Sequence, residues 1–247
     1  MEPAVITTTK LNAADIQESE FAQKFAHFLT RTNTAYAVDN ISLLTNRGIE
    51  NRLLENLIEF LPKGVIIAGG FMTSIIESEK DSKDIDFFFT NAEAFCEFTN
   101  YILDQKKVKA DGCWALEGYK LKEGCSLGSV NAYRYLTFVH PTRPELQLLK
   151  MVWYADATSC IDSFDLTVAQ FAVEAGGVFT YNPLSFIDIS RKRLVLHRLQ
   201  FASSTLRRII KYSKKGFYAC PGSLANICQQ IKDFKGPIEA NDIVYVD

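Results

Sequence analysis

The sequence predicts a mixed α+β protein: a sheet flanked by helices, followed by a helical C-terminal tail. Three observations carry that prediction. Short apolar strand patterns alternate with amphipathic helical stretches between residues 63 and 187. Glycine and proline punctuate them at Pro62-Lys63-Gly64, Gly69-Gly70, Gly176-Gly177 and Asn182-Pro183. Beyond residue 188 the pattern turns helical and basic.

The organisation falls into three segments. Residues 1–62 read as a polar lead-in over 1–15 and then a helical segment packed on the head, with Phe21, Phe25, Phe28 and Leu29, then Leu53, Leu54, Leu57, Ile58 and Leu61, at its apolar positions. Residues 63–187 form that α/β head. Val65–Ala68 reads as a buried strand, Phe71–Glu77 as a short helix entered from the glycines, and Asp84–Thr90 as a second strand. Ala92–Gln105 is a helix with Phe95, Phe98, Ile102 and Leu103 at helical spacing. Val108–Lys150 reads as an antiparallel region, with strands at Tyr133–His140 and Glu145–Val152. Asp156–Ser163 is a short helix, and Leu166–Val173 with Val178–Tyr181 form a hairpin around Gly176-Gly177. Residues 188–247 are a basic helical neck and tail.

At 247 residues and 47% hydrophobic composition, the chain can bury a sizeable core. Its apolar runs, such as Gly64–Gly70, are too short to span a bilayer, so no membrane partner is expected. Met1–Asp15 lacks a basic region followed by an apolar run, so no secretory signal is expected there. Six cysteines without a CxxC spacing read as buried free thiols of a cytoplasmic protein. The formal net charge of −2 conceals an asymmetry. Ile189–Lys232 holds ten lysines and arginines and no acid. Such a stretch on an acidic remainder suggests a polyanionic partner, RNA or a nucleoside triphosphate. His27, His140 and His197 are too scattered for a ligand set, and Trp114 and Trp153 read as core or rim. No Walker A loop, Gly-x-Ser-x-Gly or HExxH occurs, so P-loop, hydrolase-triad and zincin chemistries have no support.

The segment Gly64–Phe89 carries the chemistry. A strand ending in Gly69-Gly70 and entering a helix leaves backbone N–H groups where a phosphate can approach closely. Asp84 and Asp86 stand at i and i+2 of the next strand, which puts both carboxylates on one face. Adjacent carboxylates at the head of a buried strand repel one another unless a cation lies between them. A divalent ion held there can clamp a triphosphate and activate an attacking hydroxyl.

These residues resemble the head of the polymerase-β-like nucleotidyltransferases, and most closely the bacterial-type CCA-adding tRNA nucleotidyltransferases and related poly(A) polymerases. The shared pattern is strand, Gly69-Gly70, helix, then Lys83-Asp84-Ile85-Asp86. Glu145–Lys150 resembles the family strand with a third acid at its start. Asp165-Leu166-Thr167-Val168 resembles the Asp-Phe-Thr strand, and Leu206–Phe217 the neck helix ending in Gly-Phe. The resemblance implies a nucleotidyltransferase-type mixed sheet and transfer of a nucleoside monophosphate from an NTP to an acceptor hydroxyl with release of pyrophosphate, RNA being the first candidate acceptor and a protein side chain or a small molecule staying open. It implies Mg²⁺ or Mn²⁺, two ions, on Asp84, Asp86 and Glu145. Gly69, Gly70, Lys83 and Thr73 or Ser74 would meet the triphosphate, and Asp165 would position the nucleotide or a basic residue. Arg207, Arg208, Lys211, Lys214 and Lys215 would hold the acceptor, and Tyr212 could stack on a base.

The departures bear on specificity. Ser163 and Phe164 stand where the family has two arginines, and Ala169 where it has Asn. Phe201–Thr205 lacks the Glu-Asp-x-x-Arg pattern that selects the base, and the chain stops at Asp247, shortly past the neck. Complete CCA addition is therefore not expected. The alternative is a nucleotidyltransferase-like module that binds nucleotide or RNA without chemistry.

Overall fold

Asp84–Phe89, the strand that carries both candidate carboxylates, lies near the middle of an eight-stranded mixed sheet. The computed structural model describes residues 10–17, 32–78, 82–132 and 134–233. The strands of this sheet are β1 (Ala37–Asn40), β2 (Val65–Ala68), β3 (Asp84–Phe89), β4 (Lys120–Leu121), β5 (Tyr135–Val139), β6 (Glu145–Trp153), β7 (Phe171–Glu174) and β8 (Val178–Tyr181). They lie in the order β1-β8-β7-β2-β3-β6-β5-β4. Only β3 and β6 are parallel neighbours; the other pairs are antiparallel. A small parallel pair, β9 (Arg193–Leu194) and β10 (Tyr218–Ala219), joins the C-terminal elements.

The helices are α1 (Ser42–Asn46), α2 (Arg52–Phe60), α3 (Gly70–Ile76), α4 (Ala92–Leu103), α5 (Gln105–Ala110), α6 (Ala157–Asp162), α7 (Pro183–Ser190), α8 (Ala202–Ser213) and α9 (Pro221–Asp233). Their starts follow from local chemistry. Asn51 caps α2 by accepting from Leu54 N–H, and Asn91 caps α4 by accepting from Ala94 N–H. Asp156 and Ser159 form a reciprocal capping box on α6, and Pro183 after Asn182 opens α7.

Strand periodicity sorts the core into two faces. On one, Ile85, Phe87 and Phe89 pack with Phe95 and Phe98 of α4, the Phe87–Phe98 rings 4.9 Å apart. On the other, Ile66, Ala68, Phe88, Leu149 and Ala172 meet Ala157, Cys160 and Ile161 of α6, with Phe164 closing over Phe88. Asp84 and Asp86 belong to this second face. One apolar cluster runs from Leu11 to Ile227 and takes in Ile189 of α7 with Ile209 and Tyr212 of α8. Among the described residues no helix is long and apolar enough to cross a membrane.

The mixed α+β architecture with a flanked sheet is as the sequence predicts, and four local readings are corrected. Residues 37–40 lie within the stretch read as helical, yet they form β1, paired with β8 at the sheet edge. Leu166–Gln170 is not strand: Thr167–Ala169 is a 3-10 turn, held where Thr167 donates to Asp188 and accepts at its carbonyl from Ser185. The described cysteines are free, but Cys220 and Cys228 are exposed. On α8 the spacing of Leu206, Ile209, Ile210 and Phe217 reads as one apolar face, yet the buried positions are Ser204, Thr205, Ile209 and Tyr212, while Leu206 and Ile210 are 36% and 52% exposed. The small polar side chains let α8 approach the head closely, and that rotates the larger aliphatics outward. Phe21, Phe25, Phe28, Leu29, His27 and Tyr133 lie outside the described residues.

Candidate metal and nucleotide site

Asp84 and Asp86 leave β3 on one face, each half-buried, with Ile85 and Phe87 buried behind them. The register fixes their neighbours. Asp84 lies across from Glu145 of β6; Asp86 lies between Ala68 of β2 and Gln147 of β6. The chain leaves β2 at Gly69, whose φ of 84° only glycine adopts without strain. A Cβ at Gly69 would sit 3.7 Å from Asp86 Oδ2 and 4.0 Å from the Phe164 ring. The glycine backbone therefore runs directly beside the carboxylate, and Gly70 is exposed at the first turn of α3.

Burial, and then the charge of Asp84, push the Asp86 carboxyl up to about 7, against the opposing pull of Lys211 and Arg208. Its Oδ1 is buried without a hydrogen-bond partner. A carboxylate oxygen left this way is costly unless a cation or a donor meets it. That orphaned oxygen beside a second carboxylate fits a divalent ion.

Glu145 is placed differently from the pair. Its carboxylate accepts from Lys122 Nζ at 3.0 and 3.2 Å. Among the described residues no three His, Cys, Asp or Glu side chains gather closely enough to hold a metal ion. The expected three-carboxylate cluster is thus not assembled, because Lys122 supplies the counter-charge that Glu145 would otherwise find in a cation.

The hydroxyls expected at the triphosphate turn inward. Thr73 donates to the Val168 carbonyl at 2.9 Å and Ser74 to that of Phe71 at 2.9 Å, and both residues are buried. The helix is buried on all sides from Phe71 to Ile75, so both hydroxyls are turned onto backbone carbonyls of the protein interior. Gly69 is buried beside Asp86, Gly70 is exposed, and Lys83 is exposed at the head of β3.

Asp165 lies close to the neck helix. Its Oδ2 accepts from Arg208 Nη1 at 2.6 Å and Thr205 Oγ1 at 2.7 Å. The sequence reading missed a second network, one turn earlier. Asp162 accepts from Arg198 Nη2 at 2.5 Å, Tyr36 Oη at 2.7 Å and Thr32 N–H at 3.0 Å, with His197 Nε2 at 3.0 Å. Burial opposes its ionisation, but these hydrogen bonds outweigh burial and hold the carboxyl well below the usual range. The available signal was an acid placed directly after the apolar pair Cys160-Ile161 at the end of the helix Ala157–Asp162.

On α8, Arg207 and Lys211 are exposed and Arg208 is half-buried; Lys214 and Lys215, just past its end, are exposed. Tyr212 is not a stacking platform: it is buried, edge-on to Phe217 at 5.3 Å. The arrangement therefore sets two carboxylates beside a glycine turn, with a basic helix on the flank of Asp86. It can bind a cation, bring phosphates to it and hold a further polyanion nearby.

The family described as Gad2, Gabija anti-defense 2 family protein, matches residues 22–192. A curated relative, Gabija anti-defense 2 of Bacillus phage SPbetaL7, is 25% identical over 200 residues, covering 74% of this chain and 44% of the relative. Among solved structures, a CCA-adding enzyme with ATP superposes with a TM-score of 0.55 at 12% identity, over 79% of this chain and 46% of that one. The Thermotoga maritima CCA-adding enzyme complexed with tRNA gives 0.53 at 13%, over 79% and 46%. These likenesses show a shared nucleotidyltransferase-type fold. The chain spans less than half the length of each of these proteins.

Proposed function

The chain belongs to the Gabija anti-defense 2 family, and from that premise and the site we propose a metal-dependent nucleotidyltransferase that moves a nucleoside monophosphate from an NTP to an acceptor hydroxyl of RNA. The observation that carries this reading is Asp86: its Oδ1 is buried and unpartnered, its Oδ2 lies against the Gly69 turn, and Asp84 stands two residues away on the same strand face. Asp84 and Asp86 are the residues that would hold Mg²⁺ or Mn²⁺. A divalent cation bound there supplies neutralisation of the triphosphate and a lowered pKa for the attacking hydroxyl. Gly69 and Gly70 admit phosphate oxygens close to the backbone, and Lys83 adds positive charge at the same rim. Asp165 orients Arg208, which with Lys211 faces the carboxylates and offsets their charge. Arg207 on the same helix and Lys214 and Lys215 just past its end lie exposed, where an RNA backbone would be held.

The name of the phage relative adds a biological setting to the proposal: the transfer would serve to counter Gabija defence. In cells carrying that defence, a phage supplied with this chain should escape restriction, and one supplied with the Asp86→Asn variant should not.

A second reading has its own observation. The Glu145 carboxylate is committed to Lys122, which supports a module that binds nucleotide or RNA without chemistry. Incubation with labelled NTPs, Mg²⁺ and a panel of RNAs separates the two. Covalent label on an acceptor supports transfer; saturable NTP binding with no product supports the module.

A further inference from the structure

Gln147 comes two residues after Glu145 on β6 and lies directly across from Asp86 on the parallel strand β3. Paired side chains leave the sheet on one face, roughly 5 Å apart. Gln147 is 6% exposed, and its Oε1 is buried without a hydrogen-bond partner, as is Oδ1 of Asp86. With Asp86 ionised, two acceptor oxygens on paired residues cannot satisfy each other, and each one left alone costs about 1–3 kcal/mol. Ala68, on the other side of Asp86, has no polar side-chain atom to offer. What answers both oxygens at once is a positive charge between them. Amide oxygens are ordinary ligands for hard divalent cations, so the chemistry of the pair suits that role.

We propose that the side-chain oxygen of Gln147, and not Glu145, is the third protein ligand of the divalent-cation site formed with Asp84 and Asp86. The proposal rests on the nucleotidyltransferase reading above. Glu145 turns its carboxylate to Lys122, and Gln147 occupies the register position across from Asp86, whose Oδ1 is the orphaned oxygen. The consequence is a site with one negative charge fewer than three carboxylates would give. Such a site binds the cation more weakly and depends more on the triphosphate to complete it.

The test uses the whole chain and Mn²⁺ alone, with no nucleotide, titrated by the electron paramagnetic resonance signal of free Mn²⁺. Gln147→Leu should weaken Mn²⁺ binding by about tenfold or more, and Gln147→Glu should tighten it by a similar factor. Glu145→Gln should leave it within about twofold. If Gln147→Leu does not fold, Gln147→Glu carries the test by itself. Mn²⁺ affinity unchanged in the folded Gln147 variants, or lost in Glu145→Gln, would overturn the proposal. Loss of binding in Asp86→Asn with none in the Gln147 variants sinks this inference alone. Absence of binding in the unsubstituted chain sinks the nucleotidyltransferase reading with it.

Discussion

Arg208 Nη1 lies 2.6 Å from Asp165 Oδ2, and this ion pair fastens α8 to the turn after α6. Thr205, one helical turn before Arg208, donates to the same oxygen. The basic helix is therefore held against the carboxylate face by one of the acids of the head.

The first prediction concerns that pair. Its side chains are 20% and 13% exposed, so removing either partner leaves the other poorly solvated. Asp165→Asn and Arg208→Ala should each lower stability, and the double variant should lose less than their sum, with a coupling of about 1–3 kcal/mol. Urea unfolding of the four proteins measures it. Additive losses would show that the pair does not join helix to head.

The second comes from the raised Asp86 carboxyl, at about 7 against 3.8 for an ordinary aspartate. Because the folded value is the higher, protonation favours the folded state. The contribution of Asp86 is most favourable below about pH 4, declines as pH rises, and is least favourable above pH 7. In metal-free protein, Asp86→Asn should exceed the unsubstituted chain in stability at pH 8 by roughly 1–4 kcal/mol, the gap closing toward pH 4. Urea melts in a chelator across that range check it. A gap independent of pH would contradict it.

The third concerns Gly69. Alanine there meets a φ of 84° and places a methyl 3.7 Å from Asp86 Oδ2. With ψ at −142°, this is backbone that essentially only glycine populates, and the strain is on the order of 1–3 kcal/mol. Gly69→Ala should stay folded, melt a few degrees lower and lose NTP affinity by more than its stability loss explains. Unchanged NTP binding by fluorescence titration would remove the glycine turn from the site.

The fourth uses the exposed cations. Reversing Lys211, Lys214 and Lys215 to Glu should raise KM for RNA far more than KM for NTP. It should also flatten the salt dependence of RNA binding by about 0.7 on a log–log slope for each phosphate that is no longer neutralised. Insensitivity of RNA binding to both salt and reversal would make the helix an ordinary charged surface.

How far the sequence reaches depends on how local the determinants are. Val65–Ala68, Gly69-Gly70, α3 and β3 were legible because four apolar residues, a positive-φ glycine and alternating Asp-Ile-Asp-Phe each declare their structure within a few residues. The strand β1 was not: Ala37–Asn40 has no alternation, and only its pairing with β8 makes it a strand. Leu166–Gln170 reads as apolar strand, yet Thr167 is drawn into a turn by Ser185 and Asp188, about twenty positions on. At the site, Asp84 and Asp86 could be read from spacing alone. The diversion of Glu145 to Lys122 could not, since it depends on where residue 122 returns. Gln147 did leave a signal, a polar residue two positions after Glu145 in an apolar strand. The register that makes it a neighbour of Asp86 is a property of the sheet.

The most direct test of the account is transfer of α-labelled nucleotide from each of the four NTPs to RNA in the presence of Mg²⁺ or Mn²⁺, with the Asp84→Asn and Asp86→Asn variants alongside. The account predicts labelled RNA from the unsubstituted chain, loss on chelation, and loss in both variants while circular dichroism shows them folded. Transfer that persists in either folded variant would contradict it. So would NTP binding by the unsubstituted chain with no label reaching any acceptor.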